Sequence, residues 1–280
     1  MGIYISSGCL GRNKSAREVV TNLLDRGVDS IEMSSSHFHE EGVIEFLRGT
    51  GASFLIHSYF PPPLDPFVFN LSSPDEAIRR RSVQFAREAI SACVELGCDI
   101  YTIHGGYLSD PSLDFGFKES KIISQREGLR LFFESLERVC RCARDAGVAV
   151  AVENNPCMPE LQGKLLFCDA SDFEKMFAEP AFHDVSVLLD LGHLKVSGQV
   201  MGFDPDDFIE FVESKVTLLH VNDNDGVVDT HGTFTEHDWC ISAILSHGLE
   251  NRNMVVEVLS DSLDEVLRCR DILLGVSRER

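Results

Sequence analysis

The chain has 280 residues, with 25 Lys+Arg against 45 Asp+Glu, a formal net charge of −20. A hydrophobic fraction of 44% beside a charged fraction of 25% belongs to a globular protein with a sizeable core, and excludes a disordered, collagenous or disulfide-framework chain. Nucleic-acid affinity comes largely from Lys and Arg displacing counterions, so this excess of acid disfavours DNA binding by the bulk surface.

Eight short β-rich apolar runs alternate with longer amphipathic segments along the chain. The predicted strands are 3–6, 30–34, 53–59, 99–104, 148–154, 185–190, 216–221 and 254–259. Predicted helices at 16–26, 75–96, 126–146, 206–213 and 263–274 repeat Ile, Leu, Val and Phe at helical spacing. Repeated βα units predict a parallel sheet, and eight of them without a linker predict one (β/α)8 TIM-barrel domain over 1–280. A doubly wound open sheet would want a glycine-rich phosphate loop after the first strand, and GCLG at 8–11 matches none.

Helix-to-strand links are tight and glycine-marked (DRGVDS, ELGCD, DAGVA), whereas the strand-to-helix links 60–74, 105–125, 155–170 and 222–236 are long. In such a barrel the long links build the active-site face. The nine cysteines are scattered, without CxxC or zinc-ribbon spacing, and read as reduced thiols. The start MGIYISSGCLGRNK has no basic n-region or apolar core, and no stretch approaches the ~20 apolar residues of a membrane span. A soluble, cytoplasmic protein with no membrane partner is the expectation.

Six of the eight predicted strands end in an imidazole or a carboxylate: His57, His104, Glu153, Asp190, His220 and Glu257. Strand ends inside a packed barrel should be Val, Ile or Leu, because a buried charge costs several kcal/mol unless paired or coordinated. Six converging on one mouth point to a divalent ion that relieves that cost. His193 follows Asp190 by three, and Asp229 and His231 form a D-x-H pair in the loop after strand seven. In extended backbone that pair presents both side chains to one side. Mixed imidazole and carboxylate donors suit Zn2+, Mn2+ or Fe2+ better than Mg2+ or Ca2+.

Four further residues on the loop face are candidate substrate contacts: His37 and Tyr59 beside the mouth, and Lys164 and Lys195, which can meet a phosphate or carboxylate. For each, a plain loop or surface role is the competing reading. PPP at 61–63 reads as a rigid pocket wall. His183, His237 and His247 read as solvated, and Arg79, Arg80 and Arg81 as a solvated helix face.

These motifs resemble the xylose-isomerase-like TIM barrels, a superfamily that includes sugar isomerases and epimerases together with endonuclease IV. The likeness runs through most of the chain: HSYF, FNLSSPDEAIRRRSVQFAREAI, LGCDIYTIHGG, VENN, LLDLGHLKVSG, LHVNDNDGVVDTHG and VVEV, in the family's order. Endonuclease IV implies three zinc ions: one on His57, His104 and Glu153, a second on Glu153, Asp190, His220 and Glu257, and a third on His193, Asp229 and His231. The epimerase branch implies one Mn2+ or similar ion on Glu153, Asp190, His220 and Glu257, with Glu153 and Glu257 as acid and base. Either way one to three divalent ions are expected as cofactor.

Two reactions are open. In an isomerase or epimerase, Glu153 and Glu257 exchange a proton at a carbon beside a polarised carbonyl of a small sugar or sugar phosphate. In a phosphodiesterase, an abasic-site endonuclease or a hydrolase of small phosphodiesters, clustered ions activate water and clamp the attacking and leaving oxygens. The full ligand count favours the second. The acidic charge and the segment DTHGTFTEHDW, without the basic DNA-gripping loops of endonuclease IV, favour the first, so an isomerase or epimerase with a small sugar or sugar phosphate as partner is the expectation and the phosphodiesterase the alternative. Superfamily members often dimerise through the exposed barrel end, so a homodimer is compatible, though no residue identifies an interface. A non-catalytic binding module would be expected to lose a glutamate or a metal ligand, and none is lost.

Overall fold

A computed structural model describes residues 2–11, 13–112 and 122–277. Part of the predicted loop 105–125 lies outside the described residues. Eight parallel strands close into a barrel in sequence order: β1 (Ile3–Ser6), β2 (Ser30–Met33), β3 (Ser53–His57), β4 (Ile100–His104), β5 (Ala149–Glu153), β6 (Ser186–Asp190), β7 (Val216–Val221) and β8 (Asn253–Val256). Closure is made by β8 on β1, with Ile3 opposite Met254 and Ile5 opposite Val256. Strands covered on both faces need apolar residues throughout, and β6 is buried at all five positions.

The helices are α1 (Ala16–Asp25), α2 (Val43–Thr50), α3 (Glu76–Leu96), α4 (Gln125–Ala146), α5 (Ala170–Phe177), α6 (Leu191–Met201), α7 (Pro205–Val212), α8 (Trp239–Ser246) and α9 (Leu263–Val276). α4 illustrates why they form. Ser124 caps its first turn by accepting from the Glu127 N–H, and Leu129, Phe132, Leu136, Val139 and Ala143 form the stripe buried against the barrel. Gly97 and Gly147 end α3 and α4 at φ 70° and 71°, the left-handed geometry that the glycine-marked links imply. No helix among the described residues is long and apolar enough to cross a membrane.

Several boundaries differ from the sequence expectation, and three features at strand ends matter at the site. β3 stops at His57 because Ser58 turns left-handed at φ 48°. β2 stops at Met33, which leaves Glu32 next to last on the strand. β6 enters α6 with no intervening loop: Asp190 ends the strand and its side chain accepts from the His193 N–H as the helix cap.

Candidate metal centre

The C-terminal strand ends deliver the donors to one place. His57, His104, Glu153 and Asp190 are the last residues of β3, β4, β5 and β6; His220 is next to last on β7, and Glu257 directly follows β8. The loop between β7 and α8 folds back through a mutual backbone pair, Asp223 with Gly232 at 2.9 and 2.6 Å, and lowers Asp229 and His231 onto the mouth. His231 there has φ 46° and is not extended. The D-x-H pair therefore faces inward on itself, His231 Nε2 lying 3.1 Å from Asp229 Oδ2, because the left-handed residue turns the imidazole back on the aspartate.

All nine sequence-derived donors come together in three groups: His57 with His104 and Glu153; Glu153 with Asp190, His220 and Glu257; and His193 with Asp229 and His231. Within each group the donor atoms lie within 4.8 Å of one another. Glu153 joins all three. Its Oε2 faces His104 Nδ1 at 2.9 Å and His57 Nε2 at 3.4 Å, while Oε1 faces His193 Nδ1 at 3.3 Å and His220 Nδ1 at 3.6 Å. Glu257 Oε2 lies 2.7 Å from His220 Nδ1, and Asp229 Oδ2 lies 3.3 Å from His193 Nε2.

Oxygen atoms behind the imidazoles fix which nitrogen points inward. Thr102 Oγ1 holds His57 Nδ1 at 2.8 Å, the Asn154 carbonyl holds His193 Nδ1 at 2.8 Å, and the Glu257 carbonyl holds His231 Nδ1 at 3.0 Å. Each of these rings is left presenting Nε2. Asn222 Nδ2 donates to both oxygens of Asp190, at 3.3 and 3.1 Å. Asn222 reaches that position only because residue 192 is glycine: a Cβ there would stand 1.8 Å from Asn222 Oδ1. Such outer partners orient metal ligands and select the tautomer.

The sequence reading missed Glu32. It is fully buried, and its Oε1 lies 3.0 Å from His220 Nε2, so it turns His220 the other way, with Nδ1 toward Glu153, Asp190 and Glu257. Glu32 also forms a fourth donor group with His57 and His220. The signal was available, since a carboxylate flanked by Ile31 and Met33 inside a strand buried on both sides has no structural reason to be there.

The residues present fit a divalent ion on two counts. Both oxygens of Glu153, Oε2 of Glu32 and Glu257, Oδ1 of Asp229 and Nδ1 of His220 are buried without a hydrogen-bond partner, a state a native core tolerates only where something else satisfies them. Protonation alone does not settle the cluster. Burial drives His57 down to about 3 and Asp190 up to about 6. Burial also opposes charge on His193, His220 and His231, but the surrounding carboxylates outweigh it, lifting His231 to about 9 and the other two well above the ordinary imidazole value. Against the same burial, His220 holds Glu257 down to about 2, and imidazoles led by His104 hold Glu153 well below the usual carboxylate range. Protons thus occupy positions that a cation would take with better geometry.

The four candidate substrate contacts do not join the centre in this way. Tyr59 lies beyond the end of β3, stacks on Phe85 of α3 at 4.8 Å and accepts the Phe67 N–H, so it packs outward. His37 is buried, its ring nitrogens paired with the Lys14 carbonyl and Ser7 Oγ, and ties together the loops after β1 and β2. Lys195 sits within α6 and binds Asp223 Oδ1 and the Asn224 carbonyl, both at 2.6 Å, which braces the loop carrying Asp229. Lys164 lies in the loop after β5, where its carbonyl accepts from the Leu108 N–H. His247 is half-buried against Asp206 rather than solvated. Arg79, Arg80 and Arg81 engage the Ser73 carbonyl, Glu76 and Asp65 of their own chain.

Fold and site define a (β/α)8 barrel with a carboxylate and imidazole centre at its C-terminal mouth. A family model described as xylose isomerase-like TIM barrel matches residues 20–272, and the chain belongs to that family. It is 24% identical over 208 residues to the uncharacterized protein MJ1311 of Methanocaldococcus jannaschii, a match spanning 73% of this chain and 65% of that protein, under two thirds of its length. It is 31% identical over 100 residues to the probable endonuclease 4 of Aquifex aeolicus, 36% of this chain and 29% of that one. Among solved structures, a D-tagatose 3-epimerase-like protein superimposes with a TM-score of 0.77 at 19% identity, covering 100% of this chain and 99% of that one. At that identity the likeness shows the fold alone.

Proposed function

We propose that the protein is a multinuclear, divalent-metal-dependent phosphoester hydrolase acting on a small phosphodiester. The observation that carries this reading is Glu153. Its Oε2 faces His57 and His104, its Oε1 faces His220, and neither oxygen has a hydrogen-bond partner, so Glu153 could serve two ions, one held with His57 and His104 and one with Asp190, His220 and Glu257. A single-ion enzyme has no use for His57, His104, His193, Asp229 and His231 as donors, nor for the oxygens that fix three of their tautomers.

Charge supports the same substrate class. One divalent ion among Glu32, Glu153, Asp190, Asp229 and Glu257 leaves the mouth negative, whereas three ions carry +6 against −5 and leave it slightly positive. Lys195 is already taken up by Asp223, so an anionic substrate depends on the ions for attraction. The formal net charge of −20 and the self-engaged arginines favour a small phosphodiester over DNA. Zn2+ or Mn2+ suits the donors, and when bound such ions supply Lewis acidity toward phosphoryl oxygens and acidify water. The chain itself does the positioning. His104, with 31% of its side chain exposed, lines the opening, and Glu257 would hold an ion together with Glu153, Asp190 and His220.

A specific observation favours a second reading, epimerisation of a small sugar. Glu153 and Glu257 both approach His220 Nδ1, at 3.6 and 2.7 Å, and so flank one four-donor group from two sides, as proton exchange at a single carbon requires. Anomalous scattering from crystals of the purified protein, with hydrolysis of bis(p-nitrophenyl) phosphate by wild type and Glu153→Gln, separates the two. Several ions per chain and Glu153-dependent hydrolysis are expected. A single ion, with solvent deuterium entering a ketose, would overturn the hydrolase.

A further inference from the structure

The loop between β5 and α5 carries two thiols that the metal centre does not use. Cys157 and Cys168 are 2% and 9% exposed and pack with Leu165, Tyr107 and Leu161 in a small cluster of their own. The chain around them is pinned. Asn155 donates its N–H to the Phe167 carbonyl at 3.0 Å and its Nδ2 to the Leu166 carbonyl at 2.8 Å, and the Cys157 N–H donates to Ser197 Oγ at 2.8 Å. The Cys168 thiol donates to the Leu166 carbonyl at 3.9 Å, and the neighbouring Cys168 side chain holds Cys157 below the ordinary thiol range. Both thiols line a cavity of about 500 Å3 that also touches Gln125, Asp169 and Met201.

We propose that Cys157 and Cys168 are a peroxide-reactive dithiol that closes to an intramolecular disulfide. Backbone pairing two residues before Cys157 and one before Cys168 holds both thiols in one cluster, from which a disulfide can close. The Cys157 thiolate attacks one peroxide oxygen, the O–O bond breaks and hydroxide leaves, giving a sulfenic acid. The Cys168 sulfur then attacks Cys157 Sγ, the S–O bond breaks, and water leaves with the Cys168 proton. In sum, two thiols and one hydrogen peroxide give one disulfide and two waters.

The cavity is what distinguishes this pair. Cys93 and Cys98 are also neighbours, but they are packed in the main core with both sulfurs toward the Ile100 carbonyl. The test treats the native full-length protein with stoichiometric hydrogen peroxide and maps its peptides without reduction. A 157–168 cross-link, lighter by two hydrogens and reversed by a thiol reductant, is expected, with Cys93 and Cys98 still reduced. In Cys168→Ser a sulfenic acid at Cys157 should persist and be trapped by dimedone. Oxidation of the more exposed Cys142 while Cys157 and Cys168 stay reduced would overturn the proposal. So would a 93–98 cross-link forming equally fast. Neither result depends on the reaction catalysed at the metal centre.

Discussion

Replacing Glu32 probes the centre where it is least expected to be sensitive, on a strand that supplies no ligand to any of the three main groups. To present Nδ1 to Glu153, Asp190 and Glu257, His220 must keep its other proton on Nε2 and donate it to Glu32, 3.0 Å away, with both side chains fully buried. Glu32→Ala leaves that N–H without an acceptor in a site closed to water, which costs about 1–3 kcal/mol. Loss of an outer partner of this kind weakens metal binding about 10–100-fold, equivalent to about 1.4–2.7 kcal/mol. Part of this is offset because the metal-free imidazolium also loses Glu32 and gives up its proton more readily, so the lower end of the range is expected. Glu32→Gln retains an acceptor oxygen and should weaken binding less than the alanine variant. Competition of zinc between each variant and a fluorescent chelator measures this directly. Wild-type affinity in Glu32→Ala would refute the reasoning, as would an equal loss at His193, Asp229 and His231, which Glu32 does not touch.

Four other outcomes follow from the same geometry. Zinc binding at pH 7 should release protons, since His193, His220 and His231 are held charged without metal; calorimetry in buffers of different ionisation enthalpy detects this, and identical heats would contradict it. In the metal-free protein the contribution of His231, raised from 6.5 to about 9, is fully present below pH 6.5 and lost as pH climbs through 9, so His231→Ala should flatten that limb of the stability curve measured by urea unfolding. Thr102→Val removes the oxygen behind His57 Nδ1 at nearly constant volume and should weaken the His57, His104 and Glu153 group about tenfold while leaving the His193, Asp229 and His231 group, which shares no residue with it, least altered; His193→Ala should lower metal content by one ion per chain in elemental analysis.

The strands were legible because a parallel barrel buries both faces of each one, which writes them as unbroken apolar runs in which a terminal imidazole or carboxylate stands out. Six of the nine donors were found for that reason, whereas His193, Asp229 and His231 were read from local spacing after the strands. Glu32 was passed over because the second strand was read one residue too long, to Ser34, which placed the carboxylate in its middle instead of near its end. Tyr59 was drawn toward the site by the opposite consequence of the same error: β3 ends two residues earlier than its apolar pattern suggests, at a left-handed serine that no hydrophobic periodicity encodes. Lys195 was read as a loop residue because nothing in DLGH announces that a strand can become a helix without a connection. Its partner Asp223 comes from another unit of the barrel, a pairing that only the closed sheet creates.

Asp190 ends a strand, caps a helix and offers a ligand oxygen with one carboxylate. The His193 N–H that it captures belongs to a residue of another donor group, so an ion bound at either group would bear on the first turn of α6. Hydrogen exchange at that single amide becomes a reporter of metal loading that needs no substrate. A lineage that gave up the ion would still be held to Asp, Asn, Ser or Thr here by the helix, so an aspartate at this position records the needs of the backbone as well as those of the chemistry.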